Sequence, residues 1–156
     1  MDLQILQYNT HKSRHVLEPL LASEEASKVD IIAVQEPWHS PFSNTSLCPR
    51  ACPFYLIYLD NSSRVSFYIN KKFSTDSWTY KFYSGDLVVL ELFLPSLHQS
   101  IKIFNCYSKS LELTLSIPPS SPIHLLVDVL LLPSLAPNTV STSTILIGDF
   151  NLHHPL

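Results

Sequence analysis

The stretch "LQILQYNTHKSRHVLEPLLASEEASKVDIIAVQEP", residues 3–37, decides the fold. Its opening, residues 3–8, is a short apolar run with strand character. Ser13 stands where it can cap a helix over residues 14–27. Val16, Leu17, Leu20 and Leu21 fall on one face of that helix, and Pro19 sits in its first turn, where a missing N–H does least harm. "VDIIAVQE", residues 29–36, is a second run, apolar enough to be buried on both faces. Strand, helix, strand in this order is the unit that makes a parallel strand pair.

Outward from that unit the chain changes character. Residues 37–53 are rich in Pro, Ser and Asn and read as a loop. "FYLIYLD" (54–60) and "RVSFYIN" (64–70) are joined by Asn61-Ser62-Ser63, a hairpin signal. Strands follow at 78–83, 87–94 and 101–107, and the alternation in "WTYKFY" gives the first of these one wet face. A Ser/Pro-rich linker, 108–121, leads to a helix at 122–132 with Pro122 in its first turn. A second polar stretch, 133–143, precedes a last strand at 144–149. The sum is an α/β domain with a mixed, largely antiparallel sheet.

Composition narrows the function. The 156 residues are 46% apolar and 15% charged, a globular balance with enough material for a core. A net charge of −3 argues against a self-sufficient nucleic-acid binder. Two glycines, Gly85 and Gly148, are too few for a glycine-rich phosphate loop, which excludes dinucleotide and Walker-type sites. Three cysteines, Cys48, Cys52 and Cys106, make no disulfide framework, and the opening residues lack a signal-peptide pattern, so an intracellular setting is expected. The greasiest segment, 123–135, carries Asp128 and Pro133 and is too short for a bilayer, so no membrane partner is expected.

Several apolar runs end in polar groups: Tyr8-Asn9, Gln35-Glu36, Asn105-Cys106-Tyr107, and Asp149 with Asn151. In α/β sheets ligand sites gather at the carboxyl ends of strands, where side chains converge without disturbing the core. Glu36 and Asp149 would bring two carboxylates. With neutral amide oxygens beside them they form a hard, oxygen-rich site that suits Mg²⁺, or Mn²⁺, with retained waters. No Cys or His cluster has zinc spacing. Such a site serves phosphate-ester hydrolysis, with Asn9 and Asn151 orienting phosphate or water and the Tyr107 hydroxyl on a phosphate oxygen. Plainer roles exist for each: a turn acid for Asp149, a solvated strand end for Glu36, an Asx turn for Asn9, a packed aromatic for Tyr107. Adjacent His153 and His154 point apart in extended chain and do not share one ion. His11 could approach the phosphate from the loop after Asn9.

"QYNTHK" (7–12), "VQEP" (34–37), "NCYSK" (105–109) and "IGDFNLHHPL" (147–156) together resemble the endonuclease/exonuclease/phosphatase superfamily in order and spacing. More narrowly, the chain resembles the N-terminal endonuclease domain of LINE-type (non-LTR) retrotransposon polyproteins. The resemblance implies Asn9 and Glu36 at the metal, Tyr107 as the active-site tyrosine, Asp149 as the acid that activates or orients water, and Asn151 as its phosphate-binding neighbour. It implies a two-sheet α/β sandwich and a hydrolase acting on phosphodiesters or phosphomonoesters. For the retrotransposon branch the partner is target DNA, the setting nuclear, and further polyprotein domains accompany this one.

The superfamily closes with a Ser-Asp-His motif that this sequence lacks. Residues 1–156 therefore read as the N-terminal portion of one such domain, an incomplete sandwich with its second sheet mostly missing and only residues 144–149 contributing to it. On that reading the inner face of the first sheet lies largely uncovered, and catalysis is impaired. The rivals are a non-catalytic remnant of the domain and a phosphatase of the same superfamily.

Overall fold

The computed structural model describes residues 2–94, 99–108 and 141–150. In chain order these form β1 (Ile5–Asn9), α1 (Arg14–Ala22), α2 (Glu24–Lys28), β2 (Ile31–Gln35), β3 (Phe54–Ile57) and β4 (Val65–Asn70). A 3-10 turn at Thr75–Ser77 leads to β5 (Trp78–Ser84), β6 (Leu87–Leu94), β7 (Gln99–Tyr107) and β8 (Ser141–Asp149). The strands make two four-stranded sheets, ordered β1-β2-β4-β3 and β5-β6-β7-β8. The expected helix at 122–132 lies outside the described residues.

The opening unit forms as its pattern dictates. β1 and β2 are parallel, with Asn9 opposite Gln35. The single helix expected over 14–27 is two helices. The Ser23 N–H closes α1 on the Leu20 carbonyl, and the Ser23 side chain then accepts from the Ala26 N–H to start α2. Ser13 occupies the N-cap position of α1 without a side-chain bond, and Pro19 falls inside that helix, past its first turn. Pro19 cannot donate within the helix, and α1 ends three residues later.

β2 is buried along its whole length, because each of its faces meets a different layer. Ile32 and Val34 pack with Leu17, Leu21 and Ala26 of the helices and with Phe54 and Tyr68. Ile31 and Ala33 face the other way, onto Phe67 and Ile69 and the second sheet's Val88, Leu90, Leu92 and Ile103. Full burial of one such side chain stabilises by about 1.5–3 kcal/mol, so this central layer holds the two sheets together.

The two-sheet α/β sandwich and its mixed, largely antiparallel pairing match the expectation. β1–β2 and β7–β8 are parallel, and the other four pairings are antiparallel. Two consequences expected of a second sheet mostly missing do not hold. β5, β6 and β7 belong to that sheet together with β8. The first sheet's inner face is covered, with Ile31, Ala33, Phe67 and Ile69 fully buried. The apolar faces of β6 and β7 supply the cover that the sequence reading assigned to absent strands.

Candidate active site

Two strand ends from each sheet come together at one rim. In the first sheet, β1 ends at Asn9, and Glu36 directly follows β2. In the second, β7 ends at Tyr107 and β8 at Asp149, and these two residues are opposite each other in the parallel register. Three contacts across the sandwich tie them. Asn9 Nδ2 donates to Asp149 Oδ2 at 2.8 Å. The Tyr107 hydroxyl donates to Glu36 Oε1 at 3.1 Å. Gln7 Nε2 donates to the Gly148 carbonyl at 2.9 Å. Since Asn9 is also opposite Gln35 in register, the four groups form a closed circuit of bonds and strand neighbours.

The local backbone is unusual here. His11, Lys12 and Glu36 have φ of 49°, 56° and 47°, the only non-glycine residues among the described ones in the left-handed region. They hold one another: the Lys12 N–H donates to the Glu36 carbonyl at 2.7 Å, and so does the buried Thr10 hydroxyl, also at 2.7 Å. The Glu36 N–H donates to the Arg64 carbonyl at 2.8 Å. Non-glycine residues stay left-handed only when their surroundings over-determine them, and such residues cluster at functional sites. The outcome turns the Glu36 side chain off the strand axis, toward Tyr107.

Gly148 makes close strand approach possible just before Asp149. A Cβ at this position would lie 2.3 Å from the Cys106 carbonyl oxygen. Behind it, burial and then Asp86 push the Cys106 thiol up to about 11, so this cysteine stays neutral and serves packing.

The candidate donors at the rim are oxygen atoms: the carboxylates of Glu36 and Asp149, the Asn9 amide oxygen and the Tyr107 phenol oxygen. Glu36 retains about a fifth of its side-chain exposure, at 19%, which leaves water access to its carboxylate. Among the described residues no group of three His, Cys, Asp and Glu converges. Two carboxylates and neutral oxygens fit a hard cation that keeps several waters, and they do not fit a soft, fully protein-coordinated ion. His11 Nδ1 lies 3.3 Å from Glu36 Oε2 on an exposed ring. Asn151, His153 and His154 lie outside the described residues.

Sequence reasoning missed a pair behind the rim. Arg64 and Asp86 form a two-pronged ion pair, Nε to Oδ1 and Nη2 to Oδ2. Each stands in a polar turn ahead of an apolar strand, where charge is ordinary. The one available signal was their shared place, just before β4 and β6. Trp38 lies beside the Arg14 guanidinium at 5.6 Å, and Trp78 packs on the central core.

No family model matches the chain, and no curated protein matches it. Solved structures do. The endonuclease domain of TRAS1, a telomere-specific non-LTR retrotransposon, is 15% identical with a TM-score of 0.58, covering 98% of this chain and 61% of that one. A humanized TDP2 from D. rerio is 16% identical with a TM-score of 0.58, covering 97% and 63%. An endonuclease/exonuclease/phosphatase family protein from Leptotrichia buccalis is 13% identical with a TM-score of 0.56, covering 96% and 67%. The chain thus has the endonuclease/exonuclease/phosphatase fold, and spans about three fifths of the first two structures it matches.

Proposed function

We propose that this chain carries the metal-binding half of a phosphodiesterase site, that of a DNA endonuclease of retroelement type in the whole domain. The observation that carries the reading is the circuit of Asn9, Asp149, Tyr107 and Glu36 at the carboxyl ends of strands from both sheets. A fold shared with an endonuclease domain of a non-LTR retrotransposon supports it.

Glu36 and Asn9 would hold Mg²⁺ or Mn²⁺. When bound, the ion supplies Lewis-acid stabilisation of charge developing on phosphoryl oxygens. Asp149 orients the attacking water and takes up its proton, a role worth roughly 10²–10⁴-fold in rate. The Asn9 amide donates to Asp149 Oδ2, which fixes that carboxylate's direction. The Tyr107 hydroxyl donates to Glu36 and can turn to a phosphate oxygen when substrate is bound. Asn151 is the proposed phosphate-binding neighbour. DNA, companion polyprotein domains and a nuclear setting belong to the same proposal; no described helix is long and apolar enough to cross a membrane.

Nicking of supercoiled plasmid with Mg²⁺, weak because the closing Ser-Asp-His motif is absent from this sequence and abolished in Asp149→Ala, is the expected result. Titration calorimetry of Mg²⁺ alone should show binding that Glu36→Ala removes. Metal binding without nicking under any divalent ion would favour the non-catalytic rival. Binding unchanged in Glu36→Ala would overturn the site. Hydrolysis of a phosphomonoester with DNA left intact would move the substrate to the phosphatase branch.

A further inference from the structure

The Arg64–Asp86 pair sits in a second circuit, and this one passes through the proposed active site. The Glu36 N–H donates to the Arg64 carbonyl at 2.8 Å. The Arg64 guanidinium is paired with the Asp86 carboxylate through both prongs. The Asp86 carbonyl accepts from the Tyr107 N–H at 2.9 Å. The Tyr107 hydroxyl returns to Glu36 Oε1 at 3.1 Å. Across the middle of this ring, the Arg64 guanidinium carbon lies 4.8 Å from the centroid of the Tyr107 ring.

We infer that Arg64, held by Asp86, is a positioning residue that supports the face of Tyr107 and aims its hydroxyl at Glu36. The inference rests on the phosphodiesterase reading for its functional meaning, but its geometry does not. Three features favour positioning over a surface ion pair. Both partners are mostly buried, with side-chain exposures of 19% and 18%, where a charge pair is far less screened than in water. The planar, two-pronged pairing fixes the guanidinium in orientation as well as in place, which a lysine could not do. A cation over an aromatic face is attracted by the ring's quadrupole, more strongly when both are desolvated. Arg64 also donates its main-chain N–H to the Gly85 carbonyl at 2.7 Å, so the turn that carries Asp86 is tied to the turn that carries Arg64.

Tyr107 has two degrees of freedom that matter: the tilt of its ring and the direction of its O–H. Glu36 engages the second. The ring packs against the central core, and the guanidinium adds a contact over its face, so losing the guanidinium changes the ring's setting without removing any group that touches metal or ester.

The test reads the ring directly. The chain holds seven tyrosines, and uniform 3-fluorotyrosine labelling gives each a ¹⁹F resonance. The Tyr107 signal is assigned by its loss in Tyr107→Phe. Arg64→Met keeps much of the stem and removes the cation; Asp86→Asn removes the anchor. Both are expected to shift the Tyr107 resonance while the tyrosines remote from it, such as Tyr55 and Tyr68, stay in place. Arg64→Lys should bring the signal only part of the way back, since a lysine cannot pair through a planar fork. An unmoved Tyr107 resonance in Arg64→Met overturns the inference. If Arg64→Met unfolds, Arg64→Lys decides on its own: a Tyr107 signal at the wild-type position overturns it. In the nicking assay, a displaced ring should cost on the order of 10²-fold in turnover with little change in half-saturating DNA. Absence of nicking in the unaltered chain would sink the phosphodiesterase reading and leave the ¹⁹F result standing.

Discussion

Gln35 Nε2 donates to Asn105 Oδ1 at 2.6 Å, joining the two sheets through side chains that are both fully buried. The Asn105 amide donates in turn to the main-chain carbonyls of Val34, at 3.2 Å, and Ser66, at 2.9 Å. Gln35 precedes Glu36, and Asn105 stands two residues before Tyr107, so this polar bolt sets the spacing across which those two side chains meet. Asn105→Ala would leave the buried Gln35 Nε2 without this acceptor and take one hydrogen bond from each of two main-chain carbonyls. At about 1–3 kcal/mol for an unsatisfied buried group, the variant should lose at least about 2 kcal/mol by urea unfolding. A loss of a few tenths would show that water replaces the amide.

Gly148 and Gly85 make an internal comparison. An alanine Cβ at 148 would meet the Cys106 carbonyl oxygen at 2.3 Å, whereas at 85 the nearest atom, the Ser62 carbonyl oxygen, is 3.0 Å away. Overpacking of this kind costs roughly 1–3 kcal/mol. Gly148→Ala should therefore fall in or above that range and Gly85→Ala below it, in paired thermal melts. Because Asp149 is the next residue, Gly148→Ala should also weaken Mg²⁺ binding in calorimetry. Equal destabilisation by the two substitutions would contradict the close β7–β8 approach.

Stability should fall on both sides of neutrality, and the groups responsible differ. Burial, then Lys12, hold His39 below its ordinary imidazole value, against the pull of Asp60. The unfolded chain then binds the extra proton first, so stability is lost as pH drops through about 6.5. On the alkaline side, burial, then Asp86, raise Cys106 to about 11, and burial, then Asp60, raise Tyr58 to about 12. Burial also raises Tyr68. Here the unfolded chain releases protons first, so stability is full below the ordinary thiol range and declines as pH climbs through the raised values. Urea midpoints measured across this range should peak between the two limbs. Cys106→Ala should flatten the onset of the alkaline limb.

The strands were legible because each is an apolar run bounded by polar turns, and residues 29–36 carried the signature of a strand buried on both sides. What the sequence did not disclose was partnership. Nothing in "WTYKFY" or "LVVLELFL" says which sheet an antiparallel strand joins, since the same alternation serves either. The polar rim that makes the candidate site was legible to a similar depth. Asn9, Glu36, Tyr107 and Asp149 stood out as polar groups closing apolar runs, and the structure brings these four together. Arg64 and Asp86 did not stand out, because their pairing spans 22 positions and depends on the turn geometry at both ends. The break at Ser23 was hidden for a different reason: a serine inside a helical pattern is ordinary until its side chain is seen to start a new helix.

The left-handed backbone at Glu36 sets chemistry and architecture against each other at a single position. A residue with a Cβ is disfavoured there by roughly 1–2 kcal/mol, and glycine is not. Glu36→Gly should therefore be the more stable of two inactive proteins, ahead of Glu36→Ala by about 1 kcal/mol in urea unfolding. The chain would fold more comfortably without the acid. Its presence is a standing tension, sustained by the bonds that Thr10, Lys12 and Arg64 make to the Glu36 main chain.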